Sequence, residues 1–104
     1  MANNTQPANF IGTSKAANLF RGREAVGGRL HFDEKGMTFQ SHKVNIQKGQ
    51  SRIHYNEIKH IKAFRTLGIV PNGMAIVTKK GKEYRFVINN RKAIMAFLNG
   101  KVQD

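Results

Sequence analysis

Short alternating runs dominate this chain. Leu30 and Phe32 fall on one parity and Arg29 and His31 on the other; beyond Asp33-Glu34-Lys35-Gly36, Met37 and Phe39 resume the apolar face while Thr38 and Gln40 take the polar one. A period of two marks half-buried β-strands. The pattern continues with Val44 and Ile46 against Lys43, Asn45 and Gln47, a reversal at Lys48-Gly49, and Ile53 and Tyr55 against Arg52 and His54. Ile58 and Ile61 lead to two longer apolar segments, MAIVT and EYRFVI, around Lys79-Lys80-Gly81-Lys82. These predict a hairpin, because Gly81 can take the positive φ that a tight reversal needs. Tyr84, Phe86 and Ile88 share its inward face. Pro71-Asn72-Gly73 carries a further turn signal, Ala17–Arg21 reads as a short first strand, and the glycine-punctuated residues 22–28 read as a bend or bulge.

Strands at short intervals, separated by glycine turns, predict an antiparallel sandwich or barrel and not βαβ units. Only the end of the chain has helical spacing. Ile94, Phe97 and Leu98 make a narrow stripe at i, i+3 and i+4, with Asn89 or Asn90 as the expected side-chain cap and Asn99-Gly100 as the stop. So short a helix is marginal in water and must dock on the β structure. The expected fold is mainly β: about seven antiparallel strands in a barrel or sandwich closed by one C-terminal α-helix. The Asn-, Thr- and Gln-rich start predicts a flexible tail over residues 1–16, a domain over 17–99 and a short tail over 100–104.

At 104 residues the chain suits one domain with one core. No apolar run approaches the roughly 20 residues that span a bilayer, and the start lacks the basic and apolar regions of a secretory signal. The absence of cysteine fits a reducing compartment, so a cytoplasmic location is expected. Charge changes the picture more: 18 Lys+Arg against 6 Asp+Glu give a formal +12. Such a domain attracts polyanions, whether an anionic membrane leaflet, nucleic acid or an acidic protein.

Particular segments resemble bacterial GRAM domains of the pleckstrin-homology (PH-like) superfold. They are FRGREAVGGRLHF at 20–32, GMTFQSHKVNIQKGQ at 36–50, YNEIKHI at 55–61, TLGIVPNGMAIVTKKGKEYRFVINNR at 66–91 and AFLN at 96–99. TLGIVPNG joined to GKEYRFV carries most of the likeness, which extends over residues 17–99. The resemblance implies a PH-like barrel and a module that binds phosphoinositides, other anionic lipids or protein partners. It also implies a phosphate site around the loop joining the first two strands, where Arg21, Arg23 and Arg29 supply guanidinium forks suited to phosphate oxygens. Lys43 and Lys48 would extend that patch.

Lys79, Lys80 and Lys82 form a second basic group at the hairpin tip, where lysines also ward off edge-to-edge aggregation. The segment Leu67-Gly68-Ile69-Val70-Pro71 is apolar where loops are ordinarily polar. It is expected to fold back and plug the barrel, the alternative being an exposed tip for a membrane or protein partner. Enzymatic chemistry finds little footing. His31, His42, His54 and His60 lack the i, i+4 spacing of helical zinc ligands. Glu24, Asp33, Glu34, Glu57 and Glu83 are too scattered for an acid and base pair, Ser14, Ser41 and Ser51 occupy no nucleophile elbow, and Gly27-Gly28 has no following lysine and helix for a phosphate loop. The expectation is a non-enzymatic module without cofactor, peripheral to a membrane or bound to a protein. A nucleic-acid-binding barrel is the alternative; it is disfavoured because Phe32, Phe39, Tyr55, Tyr84 and Phe86 have inward parity and leave few stacking platforms. Assembly of copies through sheet edges is a third possibility.

Overall fold

The structure, a computed structural model, describes residues 8–42 and 50–102. Seven antiparallel strands form one strongly curled sheet: β1 (Ser14–Arg21), β2 (Glu24–Phe32), β3 (Gly36–Ser41), β4 (Gln50–His54), β5 (Ile58–Thr66), β6 (Val70–Thr78) and β7 (Glu83–Ile88). One helix, α1 (Arg91–Asn99), ends the chain's regular structure. The spatial order is β4-β3-β2-β1-β7-β6-β5, so the two halves of the meander meet where β1 pairs with β7. The result is a half-barrel with β4 and β5 as its edges. It agrees with the expected mainly β fold of about seven strands and one closing helix.

Alternation decides the concave face. Val26, Leu30 and Phe32 of β2, Met37 and Phe39 of β3, Ile53 of β4, and Phe86 and Ile88 of β7 are all buried, as are Met74 and Ile76 of β6. Helix α1 closes this core with Ile94, Phe97 and Leu98, the three positions of its predicted stripe. Phe97 stands edge-on to three rings, with centroids 5.6 Å from Phe10, 5.8 Å from Phe32 and 6.1 Å from Tyr55. At the other end of the helix Arg91 donates to the carbonyl oxygens of Phe64 at 2.9 Å and Gly73 at 3.2 Å, which ties the helix start to β5 and β6.

Several local expectations are corrected. Phe10, placed by composition in a flexible tail, is buried against Phe32 and Phe97, and β1 starts at Ser14. At the far end Val102 packs against the core and Lys101 lies over the Tyr55 and Phe97 rings, so order continues past Asn99. Only Gly22 and Arg23 form the first reversal, because Arg21 already pairs with Glu24 and residues 24–28 are continuous strand. Pro71-Asn72-Gly73 is not a turn but part of β6. The chain reverses earlier, at Leu67 (φ 52°) and Gly68 (φ 75°), with the Ile69 amide donating to the Thr66 carbonyl at 3.1 Å. Positive φ at both central residues is the I′ reversal that suits the twist of paired strands. Pro71 is tolerated in β6 because it lies in the register irregularity between Phe64 and Thr66. Gly73 is needed for room, since a Cβ there would fall 2.4 Å from the Phe64 ring. Asn90 precedes the helix in a left-handed conformation (φ 60°) without a side-chain capping bond. The alternating run at 43–47 lies outside the described residues.

The β2–β3 turn is held by one carboxylate. Asp33 Oδ1 accepts from the Lys35 and Gly36 amides at 2.9 and 3.0 Å, and Arg52 of β4 grips both carboxylate oxygens while also donating to Thr38 Oγ1. The Tyr55 hydroxyl donates to the Asp33 carbonyl at 2.7 Å. The hydrogen bond from Arg52 holds the Asp33 carboxyl well below the usual carboxylate range. Burial, followed by the Asp33 charge, pushes the Tyr55 phenol up to about 12. A carboxyl depressed in the folded state stabilises the fold above its unfolded value near 4 and loses that contribution as pH falls below it. A phenol raised in the folded state contributes up to an unfolded value near 10, and the contribution is lost as pH climbs toward 12. Thermal melts are therefore expected to decline below about pH 4 and again above about pH 10. Asp33→Asn should flatten the acid limb and Tyr55→Phe the alkaline one. The acid effect is modest, about 1 kcal/mol or less, because the Asp33 side chain stays 53% exposed.

Candidate functional site: a basic mouth at the open end of the half-barrel

Register and parity settle which predicted basic residues meet. Arg21 has the inward parity of Ala17 and Leu19, but as the last residue of β1 it reaches the rim, where the concave face opens to solvent. Ser51 of β4 and Tyr84 of β7 reach the same rim from the other walls. Arg21 Nη2 lies 3.5 Å from Ser51 Oγ across the mouth, and Lys82 Nζ sits 4.9 Å above the Tyr84 ring. With Leu19, Phe20 and Glu83 these residues line an open hollow of about 350 Å³. Arg23 is exposed at the tip of the β1–β2 reversal beside it.

Two acidic residues temper this charge. Glu24 is directly opposite Arg21 in the ladder. Glu83 has the outward parity of β7, and its carboxylate lies 4.0 Å from Lys62 and 3.7 Å from Arg85, on the convex side. The balance at the rim stays positive, with Arg21, Arg23 and Lys82 against Glu24 and Glu83.

The other predicted members separate. Arg29 opposes Ala16 on the convex face and donates to Ser14 Oγ at 3.0 Å and the Ser14 carbonyl at 3.1 Å. Five residue steps of strand run from Glu24 to Arg29, about 17 Å at the usual rise. It therefore belongs neither to the face nor to the end that Arg21 occupies, and the three-arginine cluster is corrected to Arg21 and Arg23. The second basic group also divides: Lys82 faces the mouth, while Lys79 and Lys80 line a smaller hollow of about 200 Å³ with Asn56, Glu57 and Thr78. Its position is set by the Lys79 amide, which donates to the Glu57 carbonyl at 2.8 Å. Lys43 and Lys48 lie outside the described residues.

One feature escaped the sequence reading, and one choice between two stated alternatives is reversed. Phe20 and Phe64 point outward, and the Arg85 guanidinium lies over both rings, 5.8 and 4.2 Å from their centroids. This cluster spans the convex face from β1 to β5 and shields Ala75 beneath it. Its signal was available in the parity of β7, where Arg85 alternates with Tyr84 and Phe86. The apolar segment after β5 does not plug the barrel: Leu67 is 91% and Ile69 75% exposed. The concave face is already filled by Phe39, Met74 and Phe86, which leaves no interior for it.

Among the described residues no group of three or more His, Cys, Asp or Glu side chains could hold a metal ion. No helix among them is long and apolar enough to cross a membrane. The shifted carboxyl of Asp33 and phenol of Tyr55 belong to the contacts that hold the β2–β3 turn, where they stabilise structure.

No protein-family model matches the chain, and no curated protein matches it. Among solved structures it is similar to the C-terminal domain of an unknown protein from Leishmania infantum, at 19% identity and a TM-score of 0.69, over 86% of this chain and 84% of that one. At that identity the likeness concerns the fold alone.

Proposed function

We propose that this chain is a non-enzymatic binding module of the PH/GRAM kind, whose mouth takes the phosphate-bearing headgroup of an anionic lipid. The observation that carries the reading is the convergence of Arg21, Ser51 and Lys82, from three separate parts of the chain, on one open hollow beside Arg23. Guanidinium forks match phosphate oxygens, an ammonium adds an adjustable point charge, and a hydroxyl can donate to the same anion. A half-barrel closed at one side by a helix and open at the other supports the reading, as does the formal charge of +12. Attachment is peripheral and salt-sensitive, because each basic residue near an anionic surface contributes only about 1 kcal/mol.

Co-sedimentation with phosphatidylcholine vesicles, alone or containing phosphatidylserine or a phosphoinositide, tests this reading across a salt series. Phosphoinositide vesicles should bind most tightly. The Arg21→Glu/Arg23→Glu/Lys82→Glu variant should lose roughly tenfold or more in affinity while melting like the parent. Binding that ignores the triple reversal would overturn the assignment of the mouth. Tight capture of a single-stranded oligonucleotide with indifference to every vesicle would favour the nucleic-acid reading, for which Phe20 and Phe64 offer outward rings. Retention of neither ligand would point to a protein partner.

A further inference from the structure

A second part of the surface differs in character from the mouth. Leu67, Ile69 and Val70 are the exposed large hydrophobic residues among those described, and all three belong to the β5–β6 reversal. Among the described residues none approaches Gly68 at the tip, where an added Cβ would meet no atom within 4 Å. Leu67 takes a positive φ of 52°, a position where Asn, Asp or Gly is favoured. The base of the reversal is firm, since the Thr66 hydroxyl and the Asn72 side chain are 2.8 Å apart and Arg91 grips the Phe64 and Gly73 carbonyls below.

Charge identifies the occupant. From Ile58 through Lys82 the chain holds no acidic residue, so neither strand of this hairpin brings a carboxylate to the tip. Arg65 stands immediately below the tip, and Arg91 and Lys92 open the adjoining helix. A narrow convex apolar point with a cationic collar lacks the flat or grooved area that a stable protein interface requires. It matches an anionic bilayer, where the collar meets headgroups and the apolar side chains pass below them.

We infer that the β5–β6 tip, Leu67, Ile69 and Val70, inserts into the interfacial layer of an anionic membrane while Arg65 and Lys92 contact its headgroups. The tip is separate from the mouth. Eight residue steps of β6 run from Val70 to Thr78, about 26 Å at the usual rise, so substitutions at one leave the other intact.

The chain contains no tryptophan, so Ile69→Trp in the full chain supplies a single reporter. On phosphatidylcholine vesicles containing phosphatidylserine its emission should shift to the blue and be quenched by lipids brominated on the acyl chain. Leu67→Ser/Ile69→Ser should weaken binding to the same vesicles roughly tenfold with an unchanged melting temperature, and the loss should persist in high salt. Unchanged tryptophan emission on vesicles that demonstrably retain the protein would overturn the inference, as would a serine variant that binds like the parent. The two membrane contacts fail separately. Loss only on reversing Arg21, Arg23 and Lys82 leaves the mouth and removes the tip; loss only in the serine variant does the opposite.

Discussion

Truncating Phe97 to alanine is expected to cost about 3–5 kcal/mol, the range for removing a buried aromatic side chain. Phe97 is 5% exposed and lies where the rings of Phe10, Phe32 and Tyr55 converge. The alanine removes more than its own area, because those rings come from the N-terminal segment, β2 and the residue that follows β4, and Phe97 joins all three to the helix. Edge-to-face contacts add about 0.5–1.5 kcal/mol each beyond burial. The helix stripe would then hold only Ile94 and Leu98, too little to keep nine residues helical in isolation. A domain of this size has about 5–15 kcal/mol in hand, so the variant should melt about 15 °C or more below the parent. Urea unfolding followed by circular dichroism checks this. A melting temperature within a few degrees of the parent would mean that α1 is not what closes the half-barrel. Phe97→Leu should recover about half the loss, since it refills volume without restoring the ring edges.

Gly28→Ala is the second large effect, and it acts through crowding. Gly28 lies on the inward face of β2 opposite Ser41, and a Cβ there would fall 2.2 Å from the Gln40 carbonyl oxygen and 2.7 Å from the Phe39 ring. The ring could turn aside; the carbonyl belongs to the β2–β3 ladder and cannot. Relief demands that β2 and β3 part at this pair, at a cost of about 3 kcal/mol or more. The neighbouring Gly27 is the control. Its Cβ would meet only side-chain atoms, Asn18 Oδ1 at 3.2 Å and His42 Cδ2 at 3.7 Å, so Gly27→Ala should change stability by less than about 1 kcal/mol. The two variants should differ by at least about 2 kcal/mol in chemical unfolding. Equal stabilities would show that the close approach of β3 to Gly28 plays no part in shaping the sheet.

These glycines show why the chain was only partly legible. Gly81 (φ 89°) was read correctly because its residue type, its position between two strand-length segments and its backbone freedom agree. Gly28 and Gly73 were read as bend and turn markers, yet both lie inside strands and are small to admit a neighbour. A glycine kept for its φ and one kept for its missing Cβ are the same letter. The inward sets of β2, β3 and β7 and the Ile94, Phe97, Leu98 stripe were legible for the opposite reason: burial on one face imposes a period, and a period is visible in one dimension. Phe10 was missed because one apolar residue among polar ones has no period.

The candidate site divides along the same line. The bias toward anionic partners follows from net charge, which needs no coordinates. Arg21, Arg23 and Arg29 are close in sequence, but a two-residue reversal after Arg21 sends β2 back along β1 and places Arg29 opposite Ala16 on the other face. Lys82, distant in sequence, comes to Arg21 because β7 pairs with β1, a contact made only once the meander has curled.

By itself the sequence determined the mainly β class, the inward faces of β2, β3 and β7, the closing helix and the positive charge, because each rests on local spacing or on a sum over residues. The pairing of β1 with β7, the mouth it assembles and the exposure of Leu67 and Ile69 were decided only by the tertiary structure. They depend on how tightly the sheet bends and on a core already filled by other side chains, and both are properties of the packed chain as a whole.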